Sequence, residues 1–166
     1  MPNWVVNQVK IEGASEQIEE LLAKCRKGEE AFSFEGIIPM PDYIYRGALG
    51  QKERELYGEN NWYDWCYKNW GTKWDACEVD VFHFKGDTHA RIAFRTAWCA
   101  PMPVYEAMLE QYPDLDIYVE YADEDIGHNC GRWLNGEELE IDEDPIVFAC
   151  DLWGWDAQEY LEEQNE

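Results

Sequence analysis

Two runs of alternating apolar and polar residues on either side of a short turn constrain this fold most. The runs span residues 78–85 (EVDVFHFK) and 89–98 (HARIAFRTAW), and Gly86-Asp87 separates them. Alternation with a period of two predicts strands that bury one face, and a two-residue Gly-containing turn predicts that the strands pair antiparallel. The chain is therefore expected to contain an antiparallel sheet built around this hairpin.

The register of the hairpin assigns each side chain to one of two faces, because successive side chains of a strand point to opposite sides. A two-residue turn pairs Phe82 with Arg91. The predicted buried face consists of Val79, Val81, His83, Ala90, Ile92 and Phe94. The opposite face consists of Phe82, Phe84, His89, Arg91 and Arg95. Since His83 and His89 lie on opposite faces, they are not expected to share a metal ion.

Further periodic segments predict helices and strands on both sides of the hairpin. Predicted strands cover residues 4–11, 32–38 and 115–121, and a second hairpin covers 126–141 and turns at Asn135-Gly136. Predicted helices run from Ser15 to Gly28, over 61–69, from Pro101 to Pro113 and over 153–161. Residues 42–60 are expected to form a polar, glycine-containing insertion.

Strands that alternate with two helices in this order predict an α+β fold, a ferredoxin-like sandwich with an antiparallel sheet and both helices on one face. A length of 166 residues fits one domain over 1–166. It would carry an insertion at about 42–75 and an acidic C-terminal extension at about 135–166. The sheet face without helices would be free for a ligand, or covered by the insertion or the C-terminal segment.

The net charge of −23 is placed unevenly along the chain. Residues 1–104 hold 16 acids and 12 bases, whereas residues 105–166 hold 20 acids and one base. Such a field repels nucleic acid phosphates and attracts basic surfaces, although it also serves solubility or adaptation to salt. The predicted partner-binding acidic face comprises Asp123, Glu124, Asp125, Glu137, Glu138, Glu140, Asp142, Glu143 and Asp144.

A group of aromatic and charged residues, most of them directly after the short helix, offers a second candidate site. It comprises Trp70, Lys73, Trp74, Asp75 and Trp98. A lysine between aromatic rings could carry chemistry or make cation–π contacts. The structural interpretation is favoured, since large aromatic groups contribute strongly to cores and no nucleophile–base pair is evident. In that interpretation the run from Trp70 to Asp75 is a clasp that fixes the insertion to the hairpin.

Other classes of site receive little support from the sequence. The outer hairpin residues Phe82, Phe84, Arg91 and Arg95 could stack on RNA bases, but the overall charge opposes this and no glycine-aromatic signature accompanies them. The acidic runs at 123–125 and 142–144 lack the spaced ligands of a calcium loop, so no metal and no cofactor are predicted. With no apolar run of membrane-spanning length and no signal peptide, a cytoplasmic location is expected.

Several runs together resemble the YubB-type ferredoxin-like family of uncharacterised phage, plasmid and bacterial proteins. The residues that carry the resemblance are Met1-Pro2-Asn3-Trp4, Ile38-Pro39-Met40-Pro41, Trp70 to Asp75, Thr96-Ala97-Trp98, Pro101, Pro103-Val104, Tyr112-Pro113 with Leu115, and Tyr121-Ala122-Asp123-Glu124. The resemblance covers about 1–134 and departs at Cys99-Ala100 and in the acidic tail. It implies the fold and a mobile-element setting, and it supplies no catalytic residues.

The expected function is therefore that of a non-enzymatic acidic binding protein of a phage or other mobile element. Its partner would be a basic host protein, such as a nucleic-acid-binding or defence complex, which it would inhibit as a nucleic acid mimic in the manner of an anti-CRISPR protein. Two alternatives stay open. One is an enzyme or small-ligand binder that uses the aromatic and charged residues at 70–75 and 98, and the other is an RNA-binding sheet face.

Overall fold

A computed structural model describes all residues from 1 to 166. Six strands and six α-helices follow one another along the chain. They are β1 (Trp4–Glu12), α1 (Ser15–Cys25), α2 (Gln51–Tyr57), α3 (Trp62–Asn69), β2 (Cys77–Phe82), β3 (His89–Ala97), α4 (Met102–Gln111), β4 (Asp116–Asp123), β5 (Cys130–Leu134), β6 (Glu137–Leu139), α5 (Pro145–Trp153) and α6 (Ala157–Gln164). None of the six helices combines the length and the apolar character that a membrane span requires.

All six strands form one antiparallel sheet in the order β2-β3-β1-β4-β5-β6. The first four strands, with α1 after β1 and α4 after β3, make the β-α-β-β-α-β unit of a ferredoxin-like sandwich. The β5–β6 hairpin extends the sheet beyond β4. The predicted fold class is therefore confirmed.

Helices α1 and α4 pack on the same face of the sheet, which contains the main core. Ile18 and Leu21 of α1 and Met108 of α4 are fully buried there. Their sheet partners come from the central strands, for example Val9 and Ile92. The apolar stripe of each helix thus covers the inner face. We call the opposite side of the sheet the outer face.

The predicted register of the first hairpin is confirmed where its strands pair. Phe82 lies opposite Arg91, and Val81 lies opposite Ile92. A β-bulge interrupts the ladder nearer the start of β2, between Cys77 and Asp80. Because the bulge adds one residue to β2, Val79 has no regular partner in the ladder.

The strand predicted at 32–38 is wrong, since this segment forms a 3-10 turn over Phe34–Gly36. Ser33 accepts a hydrogen bond from the backbone of Glu35, and Asp75 Oδ1 accepts one from the backbone of Phe34 at 2.8 Å. Side chains therefore satisfy backbone groups that a strand would pair with a neighbouring strand. Because no strand forms here, the first four strands of the chain are the four strands of the ferredoxin-like unit.

The C-terminal region has the predicted hairpin but differs from its predicted form in its helices. The β5–β6 hairpin turns at Asn135-Gly136 as predicted, with φ of 47° and 96°. The single helix predicted at 153–161 is wrong. Instead α5 ends at Trp153, Gly154 adopts the left-handed conformation that ends many helices, and α6 begins three residues later.

The predicted insertion lies away from the outer face. It contains α2, which the sequence did not predict, and α3, whose bounds agree with the predicted helix at 61–69. Cys66 of α3 is buried in the main core, and Trp65 packs against that core. The insertion therefore does not cover the outer face. Of the two segments expected to cover it, only the C-terminal one remains.

Candidate functional site

The C-terminal helices cover one half of the outer face. Ala149 and Cys150 of α5 are fully buried with Ala122 of β4, and Val6 of β1 packs against the same cluster. Trp153 anchors the end of α5, because its Nε1 donates hydrogen bonds to the carbonyl oxygens of Ala122 and Asp123, each at 3.1 Å. This half of the outer face is thus closed by the chain itself.

The single base of the acidic C-terminal third is fully engaged beside this contact. Arg132 of β5 donates two hydrogen bonds to Glu143, at 3.0 and 2.5 Å, and one to Glu120 at 3.0 Å. Its guanidinium also lies 4.9 Å from the ring centroid of Phe148 in α5. Hydrogen bonding to both carboxylates raises the pKa of Arg132, and the hydrogen bonds from Arg132 lower the pKa of Glu143.

Four of the nine predicted acidic-face residues stabilise the fold itself. Asp123 is 6% exposed and accepts hydrogen bonds from Asn129 and from the backbone of Asp125. Glu124 accepts one from the backbone of Trp4 at 2.7 Å. Asp144 caps α5, and Glu143 pairs with Arg132. Carboxylates held in this way offer less charge to a partner than free ones.

The other predicted acids are exposed at the edge of the sheet or in loops. Asp125 lies 3.5 Å from the imidazole of His128. No basic side chain lies within ion-pair distance of Glu137, Glu138, Glu140 and Asp142, which lie on β6 and the segment after it. The sheet ends at β6, so these carboxylates project from its edge.

Helix α6 adds carboxylates that were not among the predicted site residues. Glu159, Glu162 and Glu163 are exposed, whereas Ala157 and Tyr160 face α5. The helical spacing of these apolar residues was the signal that could have separated the two faces of α6. We define the acidic C-terminal surface by Glu137, Glu138, Glu140, Asp142, Glu159, Glu162 and Glu163.

Two residues of the predicted aromatic pocket point into the protein. Trp70 is 3% exposed, and its Nε1 donates a hydrogen bond to the carbonyl of Ile38 at 2.9 Å. Asp75 accepts hydrogen bonds from the Ser33 hydroxyl at 2.5 Å and from the backbone of Phe34 at 2.8 Å. Both side chains hold the 33–38 segment against the sheet.

The remaining pocket residues lie on the surface and do not converge with these two on one cavity. The Lys73 ammonium is 4.5 Å from the ring centroid of Trp74, whose ring is 6.0 Å from that of Trp4. Trp98 is 43% exposed and has a φ of 70°, which is uncommon for a residue with a large side chain. The larger cavities of the molecule are lined by other residues.

The half of the outer face not covered by α5 and α6 carries a row of five side chains, one from each of five neighbouring strands. We call it the open-face row, and in spatial order it consists of Phe82, Arg91, Lys10, Tyr118 and Leu134. Phe82 is 51% exposed. All five residues line a shallow cavity of about 720 Å³, and His89 also lines it. The sequence assigned Phe82 and Arg91 to this face, but not the other three.

Both cations of the open-face row lie against aromatic rings. The Arg91 guanidinium is 4.5 Å from the ring centroid of Phe82, and the Lys10 ammonium is 5.6 Å from that of Tyr118. Neither cation forms an ion pair. Nowhere in the chain do three or more His, Cys, Asp or Glu side chains gather as a metal site would require.

A known protein family matches more than half of the chain. A family model described as a ferredoxin-like domain in Api92-like protein matches residues 69–166. The matched segment runs from the end of α3 through α6 and so includes five of the six strands. The central strand β1 comes from outside it. No curated protein and no solved structure matches the chain significantly.

Proposed function

The chain belongs to the family of ferredoxin-like domains in Api92-like proteins, and from this premise we propose that it is a non-enzymatic binding protein for a basic partner. Its contact region is the acidic C-terminal surface. In the finer form of the proposal the protein comes from a phage or other mobile element. It acts in the host cytoplasm as a nucleic acid mimic on a basic groove of a nucleic-acid-binding or defence protein.

The observation that carries the proposal is the lack of neutralising cations on this surface. The only base among residues 105–166 is Arg132, and Glu120 and Glu143 already pair with it. The seven carboxylates of the acidic C-terminal surface have no ion-pair partner within the chain. Their mutual repulsion is relieved when a basic surface approaches.

The positions of these carboxylates also suit a contact with another protein. Glu137 and Glu138 lie on the edge strand β6, and the acids of α6 are carried by a helix whose other side packs against α5. Rigid elements hold charges at fixed spacing, which favours charge complementarity with one partner over loose counterion binding. Such contacts weaken with salt because exposed charges are screened within about 8 Å at physiological ionic strength.

The experiment is a comparative capture with two matched variants. One neutralises part of the acidic C-terminal surface as E137Q/E138Q/E140Q/D142N. The control neutralises four exposed acids elsewhere as E29Q/E30Q/E59Q/E110Q, so that both variants lose the same charge. We expect to capture a basic partner that wild type and the control retain and that the first variant loses. Added DNA or RNA should displace this partner.

Two results would refute the proposal. One is a set of captured proteins that is the same for both variants, since net charge alone would then account for binding. The other is a partner that depends on the acidic C-terminal surface but is acidic, or whose binding does not weaken between low and high salt. Circular dichroism spectra that coincide for all three proteins ensure that the comparison concerns folded chains.

A further inference from the structure

We propose that the open-face row binds a nucleoside monophosphate, with the phosphate between Lys10 and Arg91 and the base stacked beside Phe82. This site does not depend on the proposed partner, although Leu134 at one end of the row pairs with Glu137 of the acidic C-terminal surface. It lies on the half of the outer face that α5 and α6 leave open.

The placement of the two cations is the first argument. Lys10 and Arg91 are direct partners in the β1–β3 ladder, so their side chains emerge next to each other on the outer face. Like charges directly opposite each other on neighbouring strands destabilise a sheet. No carboxylate forms an ion pair with either residue, although the chain has 36 acids. An anion bound between the two side chains would relieve this repulsion.

The aromatic side chains beside the cations are the second argument. Phe82 and Tyr118 flank the cation pair on its two sides, and Phe82 is half exposed. Aromatic rings and the planar guanidinium of arginine are the groups on which nucleobases stack, by about 1–3 kcal/mol per base in single-strand complexes. With strands about 4.8 Å apart, a base beside Phe82 lies two strand spacings from Lys10, within the reach of a nucleotide's own phosphate.

The size and rim of the cavity favour a single nucleotide over a nucleic acid strand. A volume of about 720 Å³ falls within the range of small-molecule sites, roughly 300–1,000 Å³. Glu12, Asp87 and Asp116 also line this cavity. A longer polyanion would have to pass these carboxylates and the field of a chain with net charge −23, whereas a single phosphate need only reach the two cations.

The test is a two-dimensional amide NMR titration of the whole chain with adenosine monophosphate, and separately with inorganic phosphate and with adenosine. Saturable shifts confined to β1, β3 and β4 are expected with the nucleotide. Either part alone should bind about tenfold more weakly or worse, because each supplies only one of the two interactions.

Three variants locate the site. Arg91→Gln and Phe82→Leu should each weaken nucleotide binding about tenfold, corresponding to the loss of one charged or stacking contact. The control Lys52→Gln removes a cation on α2, remote from the outer face, and should bind as wild type does. Arg91→Gln should also fold at least as stably as wild type, because it removes the repulsion with Lys10.

Each of the other outcomes overturns the proposal. No saturable shift up to about 10 mM nucleotide would mean that the row has no useful affinity. Shifts unaffected by Arg91→Gln, or lost equally in Lys52→Gln, would place binding elsewhere. A single-stranded oligonucleotide that binds at β1 and β3 while the mononucleotide does not would assign the row to single-stranded nucleic acid instead.

Discussion

Tyr105 of α4 donates a hydrogen bond to Asn7 of β1 across the fully buried core, with 2.7 Å between the phenol oxygen and Oδ1. The amide of Asn7 in turn donates to the hydroxyl of Thr96 at 3.0 Å and to the carbonyl of Val5. Burial raises the pKa of Tyr105 well above its ordinary value, so the phenol stays protonated and remains a donor. This chain of polar groups fixes α4 against the centre of the sheet.

Replacement of the tyrosine by phenylalanine tests this contact. Tyr105→Phe leaves the Asn7 oxygen buried without a donor, which should lower the free energy of unfolding by about 1–3 kcal/mol. The control is Tyr43→Phe, since the side chain of Tyr43 is exposed and should give a change within about 0.5 kcal/mol. Urea denaturation measures both, and equal midpoints for the two variants would contradict the assigned role.

Glu143 should make the docking of α5 depend on pH. The hydrogen bonds from Arg132 lower the pKa of Glu143 below its ordinary value of 4.5. Its contribution to stability is therefore fully present above pH 4.5 and is lost as the pH falls through the lowered value. Glu143→Gln should destabilise the protein at pH 7, and the difference from wild type should shrink below pH 4.5 in thermal unfolding scans.

The control for this pH dependence is Glu140→Gln. Glu140 is exposed and has no cationic partner, so its removal should leave the acid side of the stability profile close to that of wild type. A Glu143→Gln profile that runs parallel to wild type from pH 7 to pH 3 would show that the pair with Arg132 does not contribute.

Asp75 and Lys73 should respond differently to truncation. Asp75→Ala leaves the Ser33 hydroxyl and the backbone of Phe34 without an acceptor, so a loss of about 1–3 kcal/mol in unfolding free energy is expected. Lys73→Ala removes only a surface cation–π contact with Trp74, worth about 0.5–1 kcal/mol. Loss of an enzymatic or ligand-binding activity in a stably folded Lys73→Ala protein would favour the catalytic alternative.

The cysteines should differ in their rates of alkylation. All six are free, Cys99 is exposed, and burial raises the pKa of Cys25 and of Cys66 to about 12. Because the thiolate is the reactive form, iodoacetamide at pH 8 should modify Cys99 first and leave the two buried thiols intact until unfolding. Mass spectrometry of the folded protein measures this order, and Cys99→Ser should remove the fastest phase.

Reaction at Cys99 should itself be slow for an exposed thiol. Partial burial of its sulfur, with the negative charge of Asp123 nearby, raises the pKa of Cys99. Its rate should therefore continue to rise above pH 9, the ordinary thiol value, instead of levelling there. Modification of Cys25 or Cys66 as fast as Cys99 in the folded chain would contradict the buried positions of the two thiols.

Local patterns were sufficient for the elements whose partners are near in sequence. Residues 80–82 pair with 91–93 in the predicted register, because alternation and a short connection determine the pairing within about twenty residues. The segment 32–38 has a similar alternation of Phe32 and Phe34, but its backbone is bonded by Asp75, some forty residues away. Nothing in the local pattern reports such a distant side-chain acceptor.

For the candidate sites, the sequence alone determined the charge and the two faces of the central hairpin. The sequence has twenty acids after residue 104, and its alternation assigns Phe82 and Arg91 to one side of a sheet. Only the tertiary structure decided which acids are free, because Asp123 is buried and hydrogen-bonded to Asn129, whereas Glu137 is exposed. Only the strand order brought Lys10 beside Arg91, since a ladder pairs residues by position in space and not by separation along the chain.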